Sequence, residues 1–315
     1  MSNYSDSSFL RDENSSWYKA YSMVTPGSKV LDVGCSIGTF GSVLIAEKQC
    51  TVHGIELDKK DFETAKTNLH KVFRLNVEHD ALNELDNDYD FIYFGDVIEH
   101  LVTPEGSLRR MLPFLKDGGR LLFSVPNMTH LLVRLMLLEG KFEYGNTGLL
   151  DRTHLHYYDY DFLQRTLNEA GFEIETNDPM LKDLPEAVIA EQLAKVGLEP
   201  TKAFIDFTRT THASVYQFVG AAKKITGKAP KLEPLRISSP VDVFQTYFDN
   251  TTKYYEDTIV NLKQQVKEVE RAYKAEVRNR DRTIQELQGQ LDRIVNSRGW
   301  KFLETARKVT RRKKG

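Results

Sequence analysis

The chain has 315 residues, 40% hydrophobic and 28% charged, which allows one sizeable core plus an accessory region and excludes a disordered polypeptide. Lys and Arg number 43 against 45 Asp and Glu, and a net charge of -2 excludes a broad electrostatic grip on nucleic acid. Two cysteines, Cys35 and Cys50, suit neither a disulfide framework nor a zinc-knuckle spacing, and a reducing cytosol is the expected compartment.

Residues 1–14 are polar and serine-rich and are expected to form a mobile leader. No basic start followed by an apolar core is present, and the apolar run MTHLLVRLMLLEG is interrupted by Arg134 and too short for a bilayer, so a soluble or peripheral protein is expected. SSWYKAYSMV predicts a serine-capped helix ended by the Pro26-Gly27 turn. Strand-length apolar runs then recur at KVLDV, CTVHGIEL, YDFIYFG and GRLLFSV, separated by the helical patterns FGSVLIAEK and KDFETAKTNLHKV. Runs that are apolar on both faces, each followed by a helix, predict a mostly parallel, doubly wound α/β sheet. A helix over about 128–139 follows. DFLQRTLNEAGFEIET then predicts a helix stopped by Gly171 and a strand. A helical insertion is expected at about 183–207, and a last strand at 213–222. The globular domain is thus placed at 15–225, with the Pro-, Lys- and Ser-rich stretch 226–240 as a linker.

Beyond the linker, Ile259, Leu262, Val266, Val269 and Tyr273 alternate by three and four, as do Ile284, Leu287, Leu291 and Ile294. Val277 joins the blocks by a four-residue step, a stutter. The segment 241–296 is expected to be a coiled coil on the order of 80 Å long, which makes the protein a homo-oligomer. Arg280 in the seam keeps a lone solvated helix as the alternative. Residues 298–314 carry eight Lys or Arg and one acid, with Trp300, Phe302, Leu303 and Val309 available to an apolar face. The segment 297–315 is therefore expected to be a basic amphipathic tail able to lie on an anionic membrane. A solvated tail, or one that docks on an acidic partner, is the alternative. No nucleic-acid recognition fold accompanies it.

The chemistry centres on VLDVGCSIGTFG at 30–41. A dinucleotide fingerprint needs a glycine where Ser36 stands, so that the backbone can approach a pyrophosphate. Asp32, at the carboxyl end of the first strand, repels diphosphate and attracts an ammonium. Glu56 follows 24 residues later, where it can accept from both ribose hydroxyls. A nucleoside with a cationic tail satisfies both carboxylates, and S-adenosylmethionine has that shape.

With these motifs in order, the sequence resembles the class I S-adenosylmethionine-dependent methyltransferases. VLDVGCSIGTFG is similar to their first motif, HGIELD to the acidic second strand, HDALNEL to the adenine-side loop, YDFIYFGDVIEHL to the fourth strand and its turn, and LKDGGRLLFSVPN to the fifth. The resemblance covers roughly 28–225. It implies a Rossmann-like seven-stranded sheet with an antiparallel last strand. It places Asp32, Gly34, Cys35 and Gly38 around the methionyl part, Glu56 and Leu57 at the ribose, Asp80 and Ala81 at the adenine, and Gly95 or Asp96 beside the sulfonium. Structural alternatives stand beside these roles: the glycines serve a tight turn, Glu56 is a solvated strand-end acid, a neighbour of Asp80 meets the adenine, and Cys35 is a small buried side chain.

Methyl transfer to a hydroxyl needs a base near neutral pH, and histidine is the usual one. GLLDRTHLHYYDYDF supplies Asp151, His154, His156, Tyr157 and Tyr158 before a helix. In an extended segment His154 and His156 point the same way, and one of them is the candidate general base. Binding the acceptor, bracing the loop, or holding a metal with a carboxylate such as Asp151 are the alternatives, and no metal is assigned. Glu99-His100 is similar to a recurrent family feature, or is a helix-start pair packed under the site. GLLDRTHLHYY resembles methyltransferases associated with bacterial surface-polysaccharide synthesis, and NSRGWKFLETARKVTRRKKG resembles the endings of glycan-assembly proteins. That resemblance implies a sugar hydroxyl as acceptor, on a glycan or a nucleotide- or lipid-linked sugar, and a position at the inner face of the plasma membrane. O-methylation of an aromatic or quinone-like metabolite, or a scaffold that only retains the fold, are the alternatives.

Overall fold

The computed structural model describes residues 10–227, 230–233, 235, 241–297, 299 and 301, and divides the chain into two compact units, Met1–Asn250 and Thr251–Gly315. In the first unit the order is α1 (Ser16–Met23), β1 (Lys29–Val33), α2 (Thr39–Lys48), β2 (Thr51–Ile55), α3 (Lys59–Asn68), β3 (Lys71–Phe73), β4 (Tyr89–Gly95), α4 (Pro104–Met111) and β5 (Leu115–Pro126). Next come α5 (Leu131–Leu138), α6 (Tyr160–Ala170), β6 (Phe172–Asn177), β7 (Met180–Leu181), α7 (Glu186–Ala194), α8 (Lys202–Thr210) and β8 (Val215–Lys224).

The strands form one sheet in the order β3-β2-β1-β4-β5-β8-β6, with β7 added to β8. Pairs among β1 to β5 are parallel, and β8 runs antiparallel to β5, β6 and β7. The expected seven strands and antiparallel last strand are therefore present, with β7 as a two-residue eighth. The order reverses between β1 and β4, which opens a crevice at the carboxyl ends of those strands, the usual ligand site of such sheets. The core has a layer on each face: Leu31, Ile92, Phe94 and Phe123 on one side, Val30, Val52, Tyr93 and Leu122 on the other. Successive strand residues thus alternate between two buried layers, which is why the runs are apolar throughout.

Three expected boundaries move. The helix expected from 128 begins at Leu131, because the Asn127 carboxamide accepts from the Thr129 N–H (2.9 Å) and the His130 ring caps Leu132 N (3.2 Å). Asn14, placed in the mobile leader, is buried and exchanges hydrogen bonds with both main-chain groups of Leu181 (2.6 and 3.1 Å). The expected linker is held at its centre. The buried amide of Gln164 on α6 pairs with both main-chain groups of Glu233 (2.9 Å each), and Leu235 enters the core. Buried main-chain groups need partners, and here side-chain amides supply them. The helical insertion consists of α7 and α8.

Helix α9 (Val241–Asn296) runs over the segment expected as a coiled coil, and its residues from Thr251 on belong to the second unit. Most of the expected basic tail, residues 298, 300 and 302–315, and residues 1–9 of the leader lie outside the described residues. Among the described residues no helix is long and apolar enough to cross a membrane.

Candidate functional site

The crevice is assembled from the carboxyl ends of β1, β2, β4 and β5. Register pairs Asp32 with Gly54 and Tyr93, and Gly95 with Ser124, so the residues that follow these positions emerge side by side. The loop after β1 is tied to β2 by the Gly34 and Cys35 N–H groups, which both donate to the Ile55 carbonyl (2.8 and 3.1 Å). Gly34 has a φ of +71°, and a Cβ there would meet Val97 at 2.6 Å. Its backbone thus needs both a left-handed conformation and close approach.

Ser36, the departure from the expected glycine, also has a positive φ, 47°. Two bonds hold it: its N–H donates to Glu56 Oε2 (2.8 Å) and its hydroxyl to Asp61 Oδ2 (2.8 Å). A short polar side chain that bonds locally tolerates this region better than most. The letter that breaks the fingerprint therefore keeps the loop shape.

Asp32 is 4% exposed. Burial, with the nearby Glu56 charge adding to it, raises its carboxyl to about 8, and no hydrogen bond to it is present among the described residues. A buried carboxylate without a donor is the condition an ammonium group relieves. Glu56 lies at the surface end of β2, its second oxygen accepting from the Asp58 N–H (2.7 Å). Leu57 next to it is 56% exposed, an apolar surface beside that carboxylate. Asp80 closes its own loop by accepting from Asn76 N (2.8 Å), with Ala81 exposed after it. Cys35 is buried, its Sγ lying where a Cβ on Gly54 would stand. Gly95 sits against the Tyr93 ring, 2.5 Å from where its own Cβ would be. These residues fit a nucleoside with a cationic tail: a buried carboxyl without a donor at Asp32, a second carboxylate at Glu56 and an apolar edge at Leu57.

Beside this crevice lies a cavity of about 180 Å³ lined by Asp96, Glu99, His100, Asp151, His154 and Gln217, with Tyr216 at its wall. Asp96 has a φ of 54°, and its Oδ1 accepts from Ser124 Oγ (2.9 Å) and Gln217 Nε2 (2.8 Å). Burial raises its carboxyl despite those bonds. Glu99 belongs to a short 3-10 turn (Ile98–His100), is 1% exposed, and neither carboxylate oxygen has a hydrogen-bond partner. Its carbonyl accepts from the N–H groups of Leu155 (2.8 Å) and His156 (3.1 Å), which pins the loop between α5 and α6 over that turn.

The two loop histidines are separated. The segment is not extended: Asp151 accepts from the N–H and the hydroxyl of Thr153 (2.8 and 2.7 Å), and the chain turns there. His154 faces the cavity, its Nδ1 donating to the Leu149 carbonyl (3.3 Å) and its Nε2 lying 4.0 Å from Glu99 Oε1. His156 instead stands 3.4 Å from the Val102 carbonyl and does not line the cavity. The condition under which both would point the same way, an extended segment, is not met, because the alternation rule needs a strand. Gln217 and Ser124 were not foreseen. The parallel register of β4 with β5, Gly95 against Ser124, brings Ser124 to Asp96, and the antiparallel register of β5 with β8, Pro126 against Gln217, brings Gln217 there.

Known proteins are similar to parts of this chain. The family described as methyltransferase domain matches residues 9–177. Phosphoethanolamine N-methyltransferase 2 of Caenorhabditis elegans is 29% identical over 119 residues, 36% of this chain and 27% of that protein. The ubiquinone biosynthesis O-methyltransferase of Pseudomonas savastanoi pv. phaseolicola is 30% identical over 108 residues, 32% of this chain and 45% of that one. The chain thus spans less than half the length of these curated relatives. A solved S-adenosylmethionine-dependent methyltransferase from Thermotoga maritima, described as a possible histamine N-methyltransferase, has a TM-score of 0.46 at 19% identity, covering 69% of this chain and 93% of its own.

Proposed function

Because the chain belongs to the methyltransferase-domain family and takes S-adenosylmethionine as cofactor, we propose that it methylates a hydroxyl oxygen of a sugar, on a glycan or on a nucleotide- or lipid-linked precursor. The observation that carries this reading is the lining of the cavity. Its carboxylates, imidazoles and carboxamide suit a hydroxyl-rich acceptor, whereas a flat quinone-like ring asks for an apolar, closed slot. In the loop that supplies Thr147, Gly148 and Leu149 to the cavity, Phe142 and Tyr144 are exposed and pack edge to face at 5.3 Å, rings against which a sugar face can rest.

The cofactor supplies an electrophilic methyl on a sulfonium. Asp32 holds the ammonium end, Glu56 the ribose, and the loop 34–38 the methionyl backbone. Asp96 and Gln217 orient the acceptor, and the Glu99–His154 cluster governs the proton the hydroxyl must lose. Alignment of nucleophile and methyl supplies much of the acceleration.

The name of the ubiquinone-pathway relative favours a second reading, a phenolic acceptor. Incubating the purified full chain with deuteromethyl-labelled S-adenosylmethionine separates the two. Label in polysaccharide from cells lacking the gene, and none in a catechol, supports the sugar; the reverse overturns it.

The helix α9 extends the proposal. Ile259, Leu262, Val266, Val269 and Tyr273, then Ile284, Leu287, Leu291 and Ile294, are 48–68% exposed in the single chain. A repeating apolar seam of this kind matches its own copy, so α9 pairs with α9 of further chains. The tail proposal, a contact with an anionic membrane or a membrane-bound glycan machine, rests on sequence alone.

A further inference from the structure

We propose that Glu99, His100 and His154 bind one divalent transition-metal cation at the floor of the acceptor cavity. The inference rests on the reading of that cavity as the acceptor site and adds an ion to it. Their ligand atoms lie within 4.8 Å of one another.

Three observations point to a cation. Glu99 is 1% exposed and both of its oxygens lack a hydrogen-bond donor, so a buried carboxylate faces the cavity uncompensated. Such a group is costly without a proton or a positive partner. The histidines are set as ligands. A backbone carbonyl only accepts, so the Thr153 carbonyl, 3.1 Å from His100 Nδ1, and the Leu149 carbonyl, 3.3 Å from His154 Nδ1, require N–H at both positions. Each Nε2 then carries a lone pair, the tautomer that outer-shell carbonyls fix in metal-binding histidines. Finally, the third partner is not a rival donor: His154 Nε2 at 4.0 Å from Glu99 Oε1 puts two lone pairs toward each other with no hydrogen bond between them.

Two imidazoles and one carboxylate select zinc or manganese over magnesium or calcium, which prefer all-oxygen shells. Tetrahedral or octahedral ligation places neighbouring ligand atoms at roughly 3.0–3.4 Å, given bonds of about 2.1 Å, so separations of up to 4.8 Å contract by up to roughly 1.5 Å on binding. Three protein ligands leave a position open to the cavity, where an acceptor hydroxyl can coordinate. The hydroxyl proton then leaves to water, the metal-bound oxygen attacks the methyl carbon, and the carbon–sulfur electron pair stays on sulfur. The cation, in this account, lowers the acceptor's pKa, and His154 holds the cation.

Tag-free full-length protein, stripped by chelator and dialysed, is titrated calorimetrically with Zn²⁺ and with Mn²⁺, and Co²⁺ loading is followed by visible absorption. One site per chain is expected, weakened at least tenfold by Glu99→Gln and separately by His154→Gln, with the Co²⁺ bands lost and S-adenosylmethionine binding retained. Retained cofactor binding shows that the variants fold, and Glu99→Gln keeps the side-chain shape. Absence of Zn²⁺ and Mn²⁺ binding in the wild type, or binding unchanged in both variants, overturns the cation. Neither result touches the sugar reading, which fails only if no sugar acceptor takes the labelled methyl group.

Discussion

His154 Nε2 lies 4.0 Å from Glu99 Oε1, with the two side chains 6% and 2% exposed. The pair joins a loop to the turn after β4, and the Glu99 carbonyl, accepting from Leu155 and His156, holds that loop in place. His154 therefore faces the cavity and His156 does not, so under the proposed function the acceptor chemistry is expected at His154.

Replacing His154 by alanine is expected to lower kcat by about a hundredfold or more, the scale on which positioned acid–base or metal-ligand groups act. His156→Ala should change it by less than about threefold, because that ring only approaches the Val102 carbonyl. Steady-state kinetics with the labelled cofactor checks both, and calorimetry should show cofactor affinity unchanged in each.

Much of this site was legible in the letters, for a physical reason. Asp32 and Glu56 close strands in a parallel sheet, and a carboxylate at that edge has few roles besides meeting a ligand. The choice between His154 and His156 was not legible, since between them the chain bends at Leu155, where the Glu99 carbonyl accepts from both the Leu155 and His156 N–H groups, and no periodicity announces that. Gln217 was hidden for another reason: its place beside Asp96 comes from pairing with a strand far earlier in the chain. The hold on the linker through Gln164 and Glu233 leaves no pattern at all, because one amide makes it.

Asp32→Asn is expected to weaken S-adenosylmethionine binding by about tenfold to a hundredfold, the worth of a hydrogen bond to a charged group. It should also stabilise the ligand-free protein at alkaline pH. The folded carboxyl titrates at about 8, above its ordinary 3.8, so the folded state holds a proton the unfolded chain has lost, and stability falls as pH rises between these values. The variant has no such loss. Its melting temperature should match the wild type at pH 4 and exceed it at pH 9, by an amount corresponding to up to about 6 kcal/mol.

At the loop, Gly34→Ala and Ser36→Gly should differ. An alanine at 34 combines a φ of +71° with a 2.6 Å contact to Val97, which predicts a loss of about 1–3 kcal/mol and a weaker cofactor. Ser36→Gly relieves the positive φ but gives up the hydroxyl bond to Asp61, so stability should stay within about 1 kcal/mol. Denaturant unfolding of both variants tests the contrast.

The exposed seam of α9 predicts a concentration-dependent oligomer. A double change, Leu262→Asp with Leu287→Asp, should give monomers in sedimentation equilibrium while the first unit still binds S-adenosylmethionine. A wild-type monomer at all concentrations would contradict the pairing.

The most direct test of the sugar reading is mass spectrometry of surface polysaccharide from cells with the gene, without it, and without it but carrying the Asp32→Asn form. The account predicts a methylated sugar in the first alone. A polysaccharide profile identical in all three would contradict it.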